Sequence, residues 1–223
     1  MLDRIETPRG ELVLRQDGEH FEVISNGVFL MDTRNGESER LLVNAALVRA
    51  AQPRSILIGG LGVGFSLIEA VRDERVARVA VVEIEPTILG WHEQHLGHLT
   101  GEARSDPRTQ IIVADIAELL RNSNETYDAI CLDVDNGPDW TVTDENTRLY
   151  DEVGTQLVAS RLRPGGVLTV WSAARSPAYQ RVLGRYFGKV EVLEVPMDRG
   201  EPDVVFAASD PVAQTLGRDS DNS

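Results

Sequence analysis

Acidic residues recur where apolar runs stop, and the first of those runs stops on glycine. Residues 56–64 read Ile-Leu-Ile-Gly-Gly-Leu-Gly-Val-Gly. A short buried strand, a glycine turn and a helix over Val63–Asp73 let backbone N–H groups approach a nucleotide-like ligand, because glycine takes left-handed angles and carries no side chain to hold a ligand off. Gly59, Gly60, Gly62 and Gly64 are the candidates for that contact. Glu83 ends the next apolar run, about 20 residues on, where a carboxylate can accept from both hydroxyls of a ribose. Asp115 follows Val113-Ala114; it either faces an adenine amino group or caps the helix that starts at Ile116. Leu132-Asp133-Val134-Asp135-Asn136-Gly137-Pro138 closes a fourth run. There Asp133 can take a proton from an amine nucleophile and Asp135 can bind a second cationic centre. Asp135 and Asn136 have a plainer use as well, bonding the turn's own backbone.

Other residues admit two uses each. Trp140 and Tyr150, in and after the loop beyond Asp139, can line a substrate pocket or pack that loop onto the core. Trp171-Ser172 ends a fifth strand and can close the far side of the pocket, whereas Trp91 reads as core. Glu85 reads as solvent-facing or as a cap on the helix beginning at Pro86. His92, His95 and His98 are spaced by three, which rotates them around a helix, so no metal site is expected. Cys131 sits inside the fourth strand and reads as a small buried apolar residue.

The elements that must position these groups follow from pattern. Glu11–Arg15, His20–Ser25 and Val28–Asp32 alternate partly around Asp17-Gly18 and Asn26-Gly27, which predicts a small antiparallel meander within residues 1–36. Glu37–Ala51 has helical apolar spacing. From Arg54 strands at 55–59, 77–83, 109–114, 127–133, 166–171, 189–195 and 203–208 alternate with helices near 63–73, 86–97, 115–122, 146–162 and 176–187. Strands rich in Val, Ile and Leu with helical connections predict a mostly parallel sheet covered on both faces. The last two strands, joined through Gly200-Glu201-Pro202, are expected to be an antiparallel pair. Residues 37–209 therefore read as an α/β domain, and 210–223 as an acidic disordered tail.

Composition narrows the partners. A net charge of −14 over 223 residues argues against nucleic acid, permits a cationic substrate, and is also what an acidic soluble surface gives. No apolar run approaches the ~20 residues of a membrane span. The charged Met1–Glu6 stretch and the single cysteine lead us to expect a cytoplasmic protein.

The glycine turn, Val-Glu-Ile-Glu-Pro at 82–86, Ala-Asp at 114–115, the Asp133 loop and Leu149-Tyr150 resemble the class I S-adenosylmethionine-dependent methyltransferase fold, and within it the spermidine synthase-like (polyamine aminopropyltransferase) group. The resemblance covers about residues 23–208. It implies a Rossmann-like seven-stranded fold, S-adenosylmethionine or its decarboxylated form as donor, a small and possibly cationic amine as acceptor, and a homodimer. It implies Asp133 as the residue that orients or deprotonates the amine. The chain also departs from the group: the second Asp of its Asp-x-x-Asp-Pro motif is Asn136, its Gln falls near Leu30, and its Tyr falls near Glu39 or Arg40. Those losses favour methyl transfer, with aminopropyl transfer as the alternative. A ligand sensor without turnover and, more weakly, an NAD-binding oxidoreductase are the readings from other classes.

Overall fold

A computed structural model describes residues 1–134, 136–139, 141, 147–197 and 200–212. Asp135, Trp140 and the tail from 213 lie outside the described residues. Among those described, the chain forms β1 (Asp3–Thr7), β2 (Gly10–Asp17), β3 (His20–Ser25), β4 (Val28–Asp32), α1 (Glu37–Arg49), β5 (Ser55–Gly59), α2 (Phe65–Arg72), β6 (Arg78–Glu83), α3 (Pro86–Gln94), α4 (Gly97–Ser105), β7 (Thr109–Val113), α5 (Ile116–Asn122), β8 (Tyr127–Leu132), α6 (Thr147–Tyr150), α7 (Glu152–Ser160), β9 (Leu162–Ser172), α8 (Pro177–Tyr186), β10 (Phe187–Val195) and β11 (Asp203–Pro211).

The α/β architecture expected from pattern is present. Seven strands run in the order β10-β11-β9-β8-β5-β6-β7, and β1–β4 form a separate antiparallel sheet. β5, β6, β7, β8 and β9 are parallel, whereas β11 runs antiparallel between β9 and β10. Period-two alternation divides the core between the two faces: Ile56 and Ile58 join the cluster with α1 and α2, and Leu57 joins the one with α5, α7 and α8. Each such side chain, fully removed from water, stabilises the fold by about 1.5–3 kcal/mol. No described helix is long and apolar enough to cross a membrane.

Five details differ from the pattern reading. β1 is an additional strand, pairing Ile5 with Leu12. The helix expected over 86–97 is two helices, α3 and α4, and that over 146–162 divides at Asp151, whose carboxylate caps α7 by accepting from Gly154 N–H at 2.7 Å. β9 begins at Leu162, and the Arg163-Pro164-Gly165-Gly166 turn survives as a register shift on which Tyr127 pairs with Leu162 and Ala129 with Val167. Glu85 does not face solvent; it stands at the N-cap of α3 with its backbone carbonyl accepting from Ile88 N–H, while its buried side chain makes no cap bond and tethers the small sheet through Arg9 and the Thr7 hydroxyl.

Candidate functional site

β5 lies between β8 and β6, so the chain leaves β5 in one direction and returns at β8 in the other. The crevice at their carboxyl ends is the switch point at which open α/β sheets bind ligands. Register aligns the ends: Gly59 pairs with Val82 and with Leu132, and Glu83 with Val113. Gly60, Glu83, Ala114 and Asp133 therefore leave the sheet in one layer.

The glycines form the turn between β5 and α2. Gly60, Gly62 and Gly64 have φ of +89°, +52° and +95°. A Cβ on Gly60 would lie 2.0 Å from the Asp133 carbonyl oxygen, so the segments leaving the paired strands β5 and β8 lie too close for a side chain there. Gly59 ends the strand itself, where a Cβ would press on Ile116. Glu83 is buried and clamps the turn: Leu61 N–H donates to Oε2 at 2.9 Å and Glu85 N–H to Oε1 at 2.8 Å. Burial pushes its carboxyl up, and those N–H groups oppose the shift.

Asp115 caps α5, and Ala117 and Glu118 N–H both donate to Oδ1, at 2.7 and 3.1 Å. Both of those bonds go to one oxygen, which leaves Oδ2 outside the cap. Asp115→Asn preserves the capping oxygen and replaces the other by a donor. We expect Asp115→Asn to leave Tm within ~2 °C and to weaken adenosyl-ligand affinity about tenfold, as a lost bond to a charged acceptor would. Unchanged affinity in a calorimetric titration would leave Asp115 as a cap alone.

Asp133 is half-buried beyond β8, its N–H bonded to Gly59 O at 2.8 Å and its Oδ2 accepting from Ser66 Oγ at 3.2 Å. Two further acids join it that sequence reasoning did not assign to the site. Glu39, in the first turn of α1, accepts from Ser38 Oγ at 3.0 Å, and its backbone oxygen faces Ser66 Oγ at 3.4 Å. Asp203 opens β11, its carboxyl within hydrogen-bond reach of the Ser38 and Trp171 side chains. Burial, then the Glu39 charge, push the Asp133 carboxyl up to about 8. Glu39 is raised by burial and by Asp203, and Asp203 by burial. Such a group of carboxylates is short of positive charge and holds protons tightly, which suits it to a cationic partner and to proton acceptance. Arg40 is the neighbouring cation, its guanidinium 4.4 Å from the Phe65 ring centre.

The other candidates separate. Asn136 is buried, its carbonyl accepting from Ala173 N–H at 2.9 Å, and it lines a cavity of about 180 Å³ with Asp139, Ser172, Arg175 and Glu201. Tyr150 is packed in the core edge-on to Tyr179, with centroids 5.6 Å apart, so of its two uses the structure shows packing. Asp135 and Trp140 fall outside the described residues. Burial pushes the Cys131 thiol up to about 12, which removes it as a nucleophile. The three histidines do not converge: His92 is buried, and His98 tilts against Phe21 with Nδ1 3.1 Å from His95 O. Trp91 is core, its Nε1 donating to Asp3 at 2.8 Å.

Comparison with known proteins adds lineage to this geometry. Residues 37–189 match the family model of the spermine/spermidine synthase domain. A polyamine aminopropyltransferase 2 of Pseudomonas aeruginosa is 33% identical over 134 residues, which cover 58% of this chain and 36% of the relative. A putrescine N-methyltransferase 2 of Nicotiana tabacum is 27% identical over 161 residues, covering 71% and 44%. A spermidine synthase crystallised with the transition-state analogue AdoDATO superposes with a TM-score of 0.80 at 18% identity, over 95% of this chain and 74% of that one, a likeness of fold. The chain spans 36–58% of the length of the curated relatives it matches first.

Proposed function

The chain belongs to the spermine/spermidine synthase family, and on that premise we propose that it is a transferase that moves an aminopropyl group from decarboxylated S-adenosylmethionine to a small cationic amine. The observation that carries the reading is the set of acids, Asp133, Glu39 and Asp203, gathered beside the glycine turn. The donor supplies a carbon activated by a sulfonium. The amine nitrogen bonds to that carbon, the C–S bond breaks with its electron pair left on sulfur, and the ammonium proton passes to Asp133. Alignment of nucleophile and leaving group supplies much of the acceleration. Gly59, Gly60, Gly62 and Gly64 would cradle the donor, Glu83 would take the ribose and Asp115 the base. Asn136 would face the acceptor from its cavity. Asp135 and Trp140 lie outside the described residues, and Tyr150 packs edge-on to Tyr179.

Aminopropyl transfer displaces the methyl transfer favoured by the residue departures for two reasons. Relatives named as polyamine aminopropyltransferases accompany the family match. The α-carboxylate of S-adenosylmethionine would also meet like charge at Glu39 and Asp133, whereas the decarboxylated donor brings only cationic groups. A specific observation keeps methyl transfer as the second reading: Arg40, stacked on Phe65, is a cation able to take that carboxylate, and a putrescine N-methyltransferase is among the relatives.

Isothermal calorimetry separates the two. Decarboxylated S-adenosylmethionine and methylthioadenosine should bind at least tenfold more tightly than S-adenosylmethionine and S-adenosylhomocysteine, about 1.4 kcal/mol. The reverse order would overturn aminopropyl transfer in favour of methyl transfer. Binding of all four with no turnover across a panel of amines would support a ligand sensor.

A further inference from the structure

His92 is the buried titratable group that the transfer chemistry does not use. It lies on α3 with no exposed surface, yet both ring nitrogens are engaged. Nε2 lies 2.8 Å from Gly62 O in the glycine turn, and Nδ1 lies 2.7 Å from the hydroxyl of Thr100 on α4, itself fully buried. A carbonyl only accepts, so Nε2 must carry the proton; Nδ1 is then the acceptor, and the Thr100 hydroxyl donates to it. The Gly62 carbonyl thereby fixes the tautomer, and the Thr100 hydroxyl, which can donate or accept and also lies 3.4 Å from Leu96 O, accommodates it. Burial and the charge of Arg104 lower the imidazole's proton affinity, consistent with a neutral ring.

The turn is held from both sides. Glu83 accepts from Leu61 N–H and Gly62 N–H at the sheet edge, and His92 takes the Gly62 carbonyl from the helix side. The peptide is trans and planar, so fixing the Gly62 carbonyl toward His92 aims the Val63 N–H in the opposite direction. Packing confirms how closely α4 supports the turn: a Cβ on Gly64 would lie 2.2 Å from Thr100 Cγ2 and 3.4 Å from His92 Cε1.

We infer that His92 is a positioning residue for the adenosyl ligand: with the Gly62 carbonyl accepting from its Nε2 and Thr100 packed on Nδ1, it orients the Gly62–Val63 peptide so that the turn is preformed for nucleotide binding. The inference rests on the donor site proposed above. It turns the His-x-x-His-x-x-His run from a metal question into a role for its first member alone.

The test compares the full chain with His92→Gln and His92→Leu. Glutamine places an amide N–H where Nε2 stood; leucine keeps bulk and removes the donor. Methylthioadenosine and S-adenosylhomocysteine are titrated by calorimetry, Tm is recorded for each protein, and imidazole ¹⁵N shifts are read in the wild type. The expected results are an Nε2-protonated neutral ring, an affinity at least about tenfold weaker in His92→Leu, and one within about threefold of wild type in His92→Gln. Thr100→Val, a milder change, should shift the ¹⁵N signature and weaken affinity in the same direction if His92→Leu does not fold. Equal weakening by Gln and Leu, or wild-type affinity in a folded His92→Leu, would overturn the inference while leaving the donor site intact. A wild-type protein that binds neither nucleoside would instead overturn the donor site itself.

Discussion

Asp133→Asn is expected to lower turnover by about 10²–10⁴-fold, the usual worth of a positioned proton acceptor, while methylthioadenosine affinity stays within about threefold of wild type. The same substitution should raise stability at alkaline pH. With its carboxyl pushed up to about 8 by burial and by Glu39, Asp133 keeps in the folded state a proton that the unfolded chain releases near 3.9. A raised acid of this kind contributes stability that is fully present below about pH 4 and is lost as pH rises through about 8. At pH 9 the wild type carries an ionised Asp133 among other carboxylates and the asparagine variant does not. Because Asp133 is half-buried and water reaches it, the gain is about 2 kcal/mol rather than the full linkage value, or roughly 4–8 °C in Tm for a chain of this size. The Tm difference between variant and wild type should therefore widen from pH 4 to pH 9. The profile of kcat/KM, which reports the free protein, should rise toward pH 8. That of kcat should turn over at lower pH, because a bound sulfonium and ammonium favour the carboxylate. Methylthioadenosine release and thermal unfolding across pH measure both halves. Undiminished turnover in Asp133→Asn would remove the residue from catalysis, and a Tm gap that does not widen would remove the acid cluster as its cause.

What was legible in the sequence follows the range of the interactions involved. The parallel strands could be read because each is a continuous Val/Ile/Leu run, and the residue ending each run had to sit at the ligand edge; Gly60, Glu83, Asp115 and Asp133 came from that rule. β1 could not, since Asp-Arg-Ile-Glu-Thr is a short, mostly polar edge strand whose pairing to β2 gives almost no apolar signal. The break before α7 had a local signal in Asp151 and Gly154, a cap and a glycine whose Cβ would lie 1.9 Å from Arg148 O. Asp203, and the meeting of Glu39 with Asp133, were out of reach for a different reason, although the resemblance had set Glu39 or Arg40 at the group's tyrosine position. Glu39 approaches Asp133 because α1 packs against the sheet beside β8 and β9. Asp203 does so because β11 runs antiparallel, which brings its first residue to the edge where its parallel neighbours end. A sequence reading that inspects only strand ends misses a strand start of that kind. His92 shows the reverse: its type drew notice at once, but its partners, Gly62 and Thr100, come from a turn and a helix that periodicity cannot place together.

The glycine turn gives the second large effect, and its two middle members should differ. Gly60→Ala forces a residue with a side chain into φ +89° and sets its Cβ 2.0 Å from the Asp133 carbonyl oxygen, a backbone atom that cannot rotate away. Left-handed backbone alone costs about 1–2 kcal/mol, and the overlap must displace β5 or β8, so the total is expected at about 3–5 kcal/mol, in the range of severe point mutations. That predicts a Tm fall of roughly 10 °C. Because the displaced atom belongs to Asp133, turnover should fall even at temperatures where the variant is folded. Gly62→Ala also enters the left-handed region, at φ +52°, but its nearest contact is Met31 Sδ at 3.1 Å, the mobile end of a side chain that can yield. It should cost only about 1–2 kcal/mol and act mainly on adenosyl-ligand affinity. Thermal unfolding and methylthioadenosine titration of the two alanine variants side by side test the order. If Gly62→Ala proved the more destabilising, or if Gly60→Ala kept full turnover while folded, the close approach of Gly60 to the Asp133 backbone would not be what sets Asp133 against the nucleotide turn, and the site would have to be assembled from the α2 and α3 side instead.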